Sequence, residues 1–335
     1  DQILDLSKMK IILILILIFV HQLVLSKSND SPDLDFEKVQ GQSWEEWKNE
    51  LKEHLKKENF KESTLKLIDR VDFNPKVIKY DRKQPEFKLT FQKYLQRNIN
   101  EKKKKELNLN YKQNKDLLLL LNEKFKVDPT ILLSLWGIET SFGKHIGKLD
   151  ILNSLLSLAY DGRRQEFFLK EFKLALKILE DGHISPKDFK GSWAGAFGQT
   201  QFMPSTFHKF AIDFDNDKKI NLFKKSDALA SGANYLNQVG WNNNLVWGEE
   251  VKIILNDELQ NLSKKKKYKT KKFWEKIGIS FKNNYNEKVL LRLVIPDLEE
   301  KQFFLVTKNF DVILDWNRSN YFALTVFLLS DEVIK

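Results

Sequence analysis

The sequence predicts a mainly helical α+β protein: a helical core preceded by an N-terminal helical region and joined to a small antiparallel β subdomain. Two observations carry this. Apolar residues recur at helical spacing through much of residues 44–239, and after Trp241 the periodicity gives way to short β-branched runs before turning helical again at the C-terminus. With 42% hydrophobic residues, 25 Phe and 8 Trp in 335 residues, the chain holds too much apolar side chain to stay disordered.

The elements follow in order. Met9-Lys10, the unbroken apolar run Ile11 to Val20, a weaker stretch to Leu25 and the small-residue site Ser26-Lys27-Ser28 have the order of a secretory signal peptide over residues 1–28. The run falls short of the roughly 20 apolar residues of a membrane span, and His21-Gln22 interrupts it. Residues 1–8 contain two aspartates and no methionine, so translation is expected to begin at Met9. A periplasmic protein is expected, with an uncleaved N-terminal anchor as the alternative. With no cysteine, the chain lacks disulfides, thiolate metal sites and the acceptor of a lipoprotein anchor.

Residues 29–42 read as a polar linker and 43–127 as the N-terminal helical region. Ser43 and Glu46 form a capping box, and Trp44, Trp47, Leu51 and Leu55 then mark a helix over 44–57. Further helical patterns cover 86–99 and 115–126. The core is expected over 128–242. Asp128 suits an N-cap and Pro129 a first helical position, so a helix runs to about Ser141, with Gly143 as its stop. More helices are predicted at 149–159, 165–181, 204–211 and 226–239. A β subdomain spans 243–315, with strands at 251–255, 289–294, 303–307 and 312–314, and a C-terminal helix within 316–335 completes the core.

The net charge of +10 favours an anionic partner, but much of it lies in the runs Lys102 to Lys105 and Lys264 to Lys267, which read as solvated faces or loops. Nucleic acid is not an expected partner, because no binding module accompanies the charge.

Glu139 is the candidate catalytic residue. It follows Leu132, Leu135 and Trp136 by seven, four and three positions, which places a carboxylate on an apolar helical stripe. Desolvation and the negative helix C-terminus are both expected to raise its pKa, as a proton donor near neutral pH requires. The bland alternative is an ordinary glutamate at a frayed helix end.

Trp136-Gly137-Ile138-Glu139-Thr140-Ser141-Phe142-Gly143 resembles the catalytic motif of the membrane-bound lytic murein transglycosylase B family. Gly191 to Ser205, reading GSWAGAFGQTQFMPS, is similar to that family's glycine-rich substrate-binding segment. Two weaker blocks, Asp81 to Phe87 and Trp316 to Ser319, keep the family order, so the resemblance spans about 43–332.

The resemblance implies a lysozyme-like core that cleaves the β-1,4 bond between N-acetylmuramic acid and N-acetylglucosamine in peptidoglycan, leaving 1,6-anhydromuramic ends. Glu139 would be first acid and then base. The absence of a second marked carboxylate then fits, because the substrate's acetamido group shelters the developing cation, although Asp150, Glu166 and Glu171 stay open as second acids. By motif correspondence Ser192, Gln199, Gln201, Tyr235, Asn317 and Tyr321 are expected to bind the sugar. Phe322 stands where the family often has a second tyrosine.

Asp213, Asp215 and Asp217 alternate as in a calcium loop, but Lys218 replaces the usual glycine and Lys224 the closing glutamate. The family closes a longer loop with an aspartate, here Asp227, with the Lys219 carbonyl as a further donor and Asn221 near the ion. A structural calcium is one reading and a turn-forming acidic loop the other; no cofactor is expected for catalysis. The partners expected are peptidoglycan strands, with the cell-wall synthesis machinery as a candidate and a monomer as the assembly. The alternatives are a hydrolytic muramidase on the same fold and a non-catalytic peptidoglycan-binding protein.

Overall fold

The computed structural model describes residues 41–82 and 89–334. The expected signal peptide, the start at Met9 and nearly all of the linker lie outside the described residues, as does most of the Asp81 to Phe87 block.

In chain order the helices are α1 (Trp44–Lys57), α2 (Glu62–Ile68), α3 (Pro75–Arg82), α4 (Phe91–Asn98), α5 (Glu101–Gln113), α6 (Lys115–Phe125), α7 (Pro129–Thr140), α8 (Ile151–Tyr160), α9 (Gln165–Glu180), α10 (Pro204–Phe210), α11 (Lys225–Gln238), α12 (Asp257–Lys264), α13 (Lys271–Lys276), α14 (Lys308–Trp316) and α15 (Asn320–Ser330). The strands are β1 (Leu149–Asp150), β2 (Lys190–Gly191), β3 (Gly248–Val251), β4 (Lys269–Thr270), β5 (Leu290–Val294) and β6 (Phe303–Val306). The fold is therefore mainly helical with small antiparallel sheets.

The chain divides into two compact units. The first takes the chain up to Pro85 and Glu139–Gly232; the second takes Glu86–Ile138 and Ala233–Lys335. Two of the three boundaries fall inside α7 and α11.

In the first unit the Ser43 hydroxyl accepts the Glu46 N–H while the Glu46 carboxylate accepts the Ser43 N–H, so the capping box forms and α1 starts where expected. Trp47, Leu51 and Leu55 are fully buried along one face of α1. Asp81, at the end of α3, is buried and ion-paired with Arg163 and Arg164, which offsets the cost of desolvating its charge. The β1–β2 ladder pairs Leu149 with Gly191, fixing the start of the glycine-rich segment against the stretch that follows α7.

In the second unit a four-stranded antiparallel sheet has the order β3-β6-β5-β4. Trp274, Leu291, Leu293 and Leu305 form the centre of its core. Arg292 of β5 is buried and held by Asp311 of α14 at 2.8 Å.

Three expectations change. Residues 312–314 are helical, inside α14, because the spacing of Phe310, Ile313, Leu314 and Trp316 buries one helical face. The strand expected over 251–255 ends at Val251. Two short helices the sequence did not mark, α12 and α13, capped by Asn256 and Thr270, flank the lysine run Lys264 to Lys267, which is exposed as expected. Among the described residues no helix is long and apolar enough to cross a membrane.

Candidate active site

Helix α7 ends at Thr140, and Glu139 is its penultimate residue. Residues 131–140 are all buried, so the helix has no polar face. Glu139 is thus desolvated because the whole end of the helix is, and only 9% of its surface is exposed.

The chain leaves α7 through three consecutive left-handed residues, Ser141, Phe142 and Gly143, with φ of 50°, 61° and 79°. Two of these are not glycine, a conformation that costs energy unless the surroundings fix it. Thr140 supplies the fixing bonds. Its hydroxyl donates to the Gln199 carbonyl at 2.9 Å and accepts the Gly143 N–H at 3.0 Å. The end of the helix carrying Glu139 is in this way tied directly to the glycine-rich segment.

That segment folds on itself. Ser192 N–H donates to the Ala196 carbonyl, and Ala196 N–H donates to the Ser192 hydroxyl. Phe197 and Phe202 exchange both backbone hydrogen bonds, which throws Gln199 to Gln201 into a tight turn. The glycines permit close backbone approach. A Cβ on Gly147 would lie 2.2 Å from the Gly191 oxygen, and one on Gly143 would lie 2.4 Å from Gln199 Oε1.

Gln199 donates its amide to the Phe223 carbonyl at 2.7 Å. Gln201, at φ 51°, donates to the carbonyls of Ile146 at 2.9 Å and Gly198 at 2.8 Å. A side-chain amide has two N–H protons, so these bonds use both and leave the Gln201 oxygen as an acceptor. Ser192, Gln199, Gln201 and Glu139 all belong to the first unit.

Of the other acids, Asp150 caps α8 through the Asn153 N–H. Glu166 is exposed in the first turn of α9. Glu171 is 1% exposed and accepts the Ser205 N–H at 2.9 Å, so it anchors the end of the glycine-rich segment; burial raises its pKa against those hydrogen bonds. The sequence left Glu171 open only as a second acid and gave Thr140 no role beyond its place in the motif, so the anchoring bonds of both are new here.

Tyr235, Asn317 and Tyr321 belong to the second unit. Tyr235 lies edge-on to Trp316 at 5.0 Å, and burial, with Asp315 nearby, pushes its hydroxyl pKa up. Asn317 is fully buried; its oxygen accepts the Ser319 N–H at 3.2 Å. Tyr321 packs on Phe91 and Tyr94, and burial pushes its pKa up to about 12. Phe322 is core, fully buried.

In the acidic loop, carboxylate oxygens of Asp213, Asp215 and Asp227 all lie within 4.8 Å of one another. Two ligands about 2.4 Å from one calcium ion are separated by at most about 4.8 Å, so this trio fits such an ion. Asp227 is fully buried, accepts the N–H groups of Phe214 and Asn221, and has its pKa raised by burial and by its acidic neighbours. Asp217 stands outside the trio, bonded instead to the Lys224 ammonium, which also reaches Asp215 at 3.3 Å. Asn221 contributes its N–H to Asp227, and its side chain accepts the Phe223 N–H.

Residues 43–331 match the family described as the transglycosylase SLT domain. The chain belongs to this family. Among its relatives, membrane-bound lytic murein transglycosylase B of Escherichia coli (strain K12) is 33% identical over 229 residues. That alignment covers 67% of this chain and 62% of the relative, less than two thirds of its length. The crystal structure of SltB3 from Pseudomonas aeruginosa in complex with NAG-NAM-pentapeptide has 33% identity and a TM-score of 0.83, covering 87% of this chain and 79% of that one. The same protein in complex with NAG-anhNAM-pentapeptide gives 34% identity and a TM-score of 0.82 over the same shares. The Glu139 motif and the glycine-rich segment both lie inside the matched family region.

Proposed function

We propose that the chain is a lytic transglycosylase of peptidoglycan, with Glu139 as its acid and base. The observation that carries the proposal is the hydroxyl of Thr140: it ties the helix end bearing a nearly buried carboxylate to the glycine-rich segment bearing Ser192, Gln199 and Gln201. The family membership and the peptidoglycan fragments bound by SltB3 support the substrate class.

In the proposed reaction protonated Glu139 gives its proton to the glycosidic oxygen as the bond to the muramoyl C1 breaks. The carboxylate then takes the proton of the muramoyl 6-hydroxyl as that oxygen bonds to C1. No water is consumed, and the proton count at Glu139 is restored. Gln201, whose amide protons are occupied, would accept a sugar hydroxyl, while Ser192 and Gln199 would complete the contacts in this unit. Tyr235, Asn317 and Tyr321 are proposed as further glycan-contacting residues through their correspondence with the family motifs.

The Asp213, Asp215 and Asp227 trio is proposed to hold a structural calcium ion, joined by the Lys219 carbonyl. The ion would supply charge neutralisation within the loop and take no part in proton transfer. A periplasmic location is proposed from the Ile11 to Val20 run and the following small-residue site.

Mass spectrometry of muropeptides released from purified sacculi tests the reaction. Anhydro ends, lighter by one water than hydrolysed ends, are expected from the wild type and are expected to vanish with Glu139→Gln. Hydrolysed ends from the wild type would make the protein a muramidase, and release that survives Glu139→Gln would move catalysis to another residue.

A further inference from the structure

Between Lys252 and Lys288 the chain holds eleven lysines against four acidic residues, so a net of seven positive charges, of the chain's +10, falls in one stretch of the second unit. In the same stretch a cavity of about 720 Å³ opens where the segment after β3 meets the end of α13. Ile254 and Ile277 both line it and are 93% and 43% exposed. Phe273 lines it too, with the Lys269 ammonium 5.1 Å from its ring. Lys252 forms part of the wall, and Lys272 and Lys276, both exposed, precede Phe273 and Ile277 in the chain. Glu258 is the one carboxylate lining this cavity.

We propose that this surface docks on an anionic phospholipid bilayer, with Ile254 and Ile277 entering the acyl boundary and the surrounding lysines facing the headgroups. Large aliphatic side chains left in water among cations call for a partner that is apolar and anionic at once. A soluble polyanion would engage the lysines but give the isoleucines nothing to dissolve in. An apolar protein groove would engage the isoleucines but leave the lysines without a role. A bilayer carrying acidic lipid answers both, since its surface potential attracts basic residues within a Debye length and its interior takes aliphatic groups. The inference stands apart from the wall chemistry and does not depend on it.

The chain's lack of cysteine gives a direct test. The full chain carrying Ile254→Cys, labelled with an environment-sensitive fluorophore, is mixed with phosphatidylcholine vesicles containing about one third phosphatidylglycerol, or with pure phosphatidylcholine. A blue-shifted, brighter emission is expected on the anionic vesicles only, reversed at roughly 0.5 M salt, where screening contracts to a few ångströms. Attachment through the apolar run Ile11 to Val20 would carry the protein to both vesicle types without moving the label into lipid.

In sedimentation with the anionic vesicles the double variant Ile254→Ser, Ile277→Ser is expected to bind at least about tenfold more weakly, from the apolar area it withdraws from lipid. The triple variant Lys252→Glu, Lys272→Glu, Lys276→Glu is expected to lose the preference for acidic lipid. Melting curves confirm that each variant is folded. An unchanged label on anionic vesicles overturns the proposal, and so does undiminished binding by the double isoleucine variant, which would reduce the patch to a general polyanion surface.

Discussion

Replacing Thr140 by valine removes one oxygen and keeps the shape. That oxygen makes two bonds inside a residue only 1% exposed: it donates to the Gln199 carbonyl and accepts the Gly143 N–H. Gly143 is partly exposed and can turn its N–H to water, whereas Gln199 is only 9% exposed. One lost bond and one stranded carbonyl give a cost of about 2 kcal/mol. For a domain of this size that corresponds to a melting temperature lower by about 4–8 °C. Thr140→Ser keeps the hydroxyl and is expected to lose less than about 1 kcal/mol, for the methyl group alone. Because the left-handed exit from α7 is held by the same oxygen, the valine variant is also expected to release muropeptides more than about tenfold more slowly, as misplacement of an acid by a fraction of an ångström does. Thermal melting and initial rates on sacculi are the measurements. A valine variant with the melting point and rate of the wild type would refute the idea that this hydroxyl holds the site together.

Gly147→Ala should destabilise by on the order of 3 kcal/mol or prevent folding, because its Cβ would meet the Gly191 oxygen at 2.2 Å, backbone against backbone; soluble yield and melting temperature report it, and a normal variant would mean the turn can open. Burial raises the Glu171 pKa above its usual 4.5, so its contribution to stability is present below that value and lost as pH rises through the raised pKa. Glu171→Gln keeps an acceptor for Ser205 without the charge, and its melting temperature relative to the wild type is expected to climb between pH 4 and 8; a flat difference would contradict the assignment. Calcium at a hundred times its dissociation constant should stabilise the wild type by about 2.7 kcal/mol. Asp227→Asn should abolish that gain, and calorimetry showing no heat of binding would leave the loop a simple turn.

The helices that carry the site were legible because their ends are written locally. Asp128 and Pro129 open α7, and Ser43 with Glu46 opens α1, each through bonds that span three residues or fewer. The strands at 290–294 and 303–306 were legible from their β-branched and aromatic runs. Residues 312–314 were misread because a short aliphatic run has the same composition in a strand and in a buried helix, and only the longer spacing from Phe310 to Trp316 decides. Helices α12 and α13 were hidden by their length, eight and six residues, and by lysines that mask the apolar face. Glu139 was singled out as the candidate acid through its neighbours in the chain. What holds it was not: the bond from Thr140 to Gln199 crosses 59 positions, and no local pattern encodes such a pair.

Lys224 gives the acidic loop a resident counter-charge. Its ammonium rests on Asp215 and Asp217, so part of the loop's repulsion is relieved by a group the chain always carries. An incoming divalent ion would have to win Asp215 from that tether before sharing it with Asp213 and Asp227, which lowers its net gain and makes its hold dependent on salt. The Lys224 tether thereby lets the loop keep its shape without a bound cation, and under the proposed calcium site an ion would tighten it only modestly.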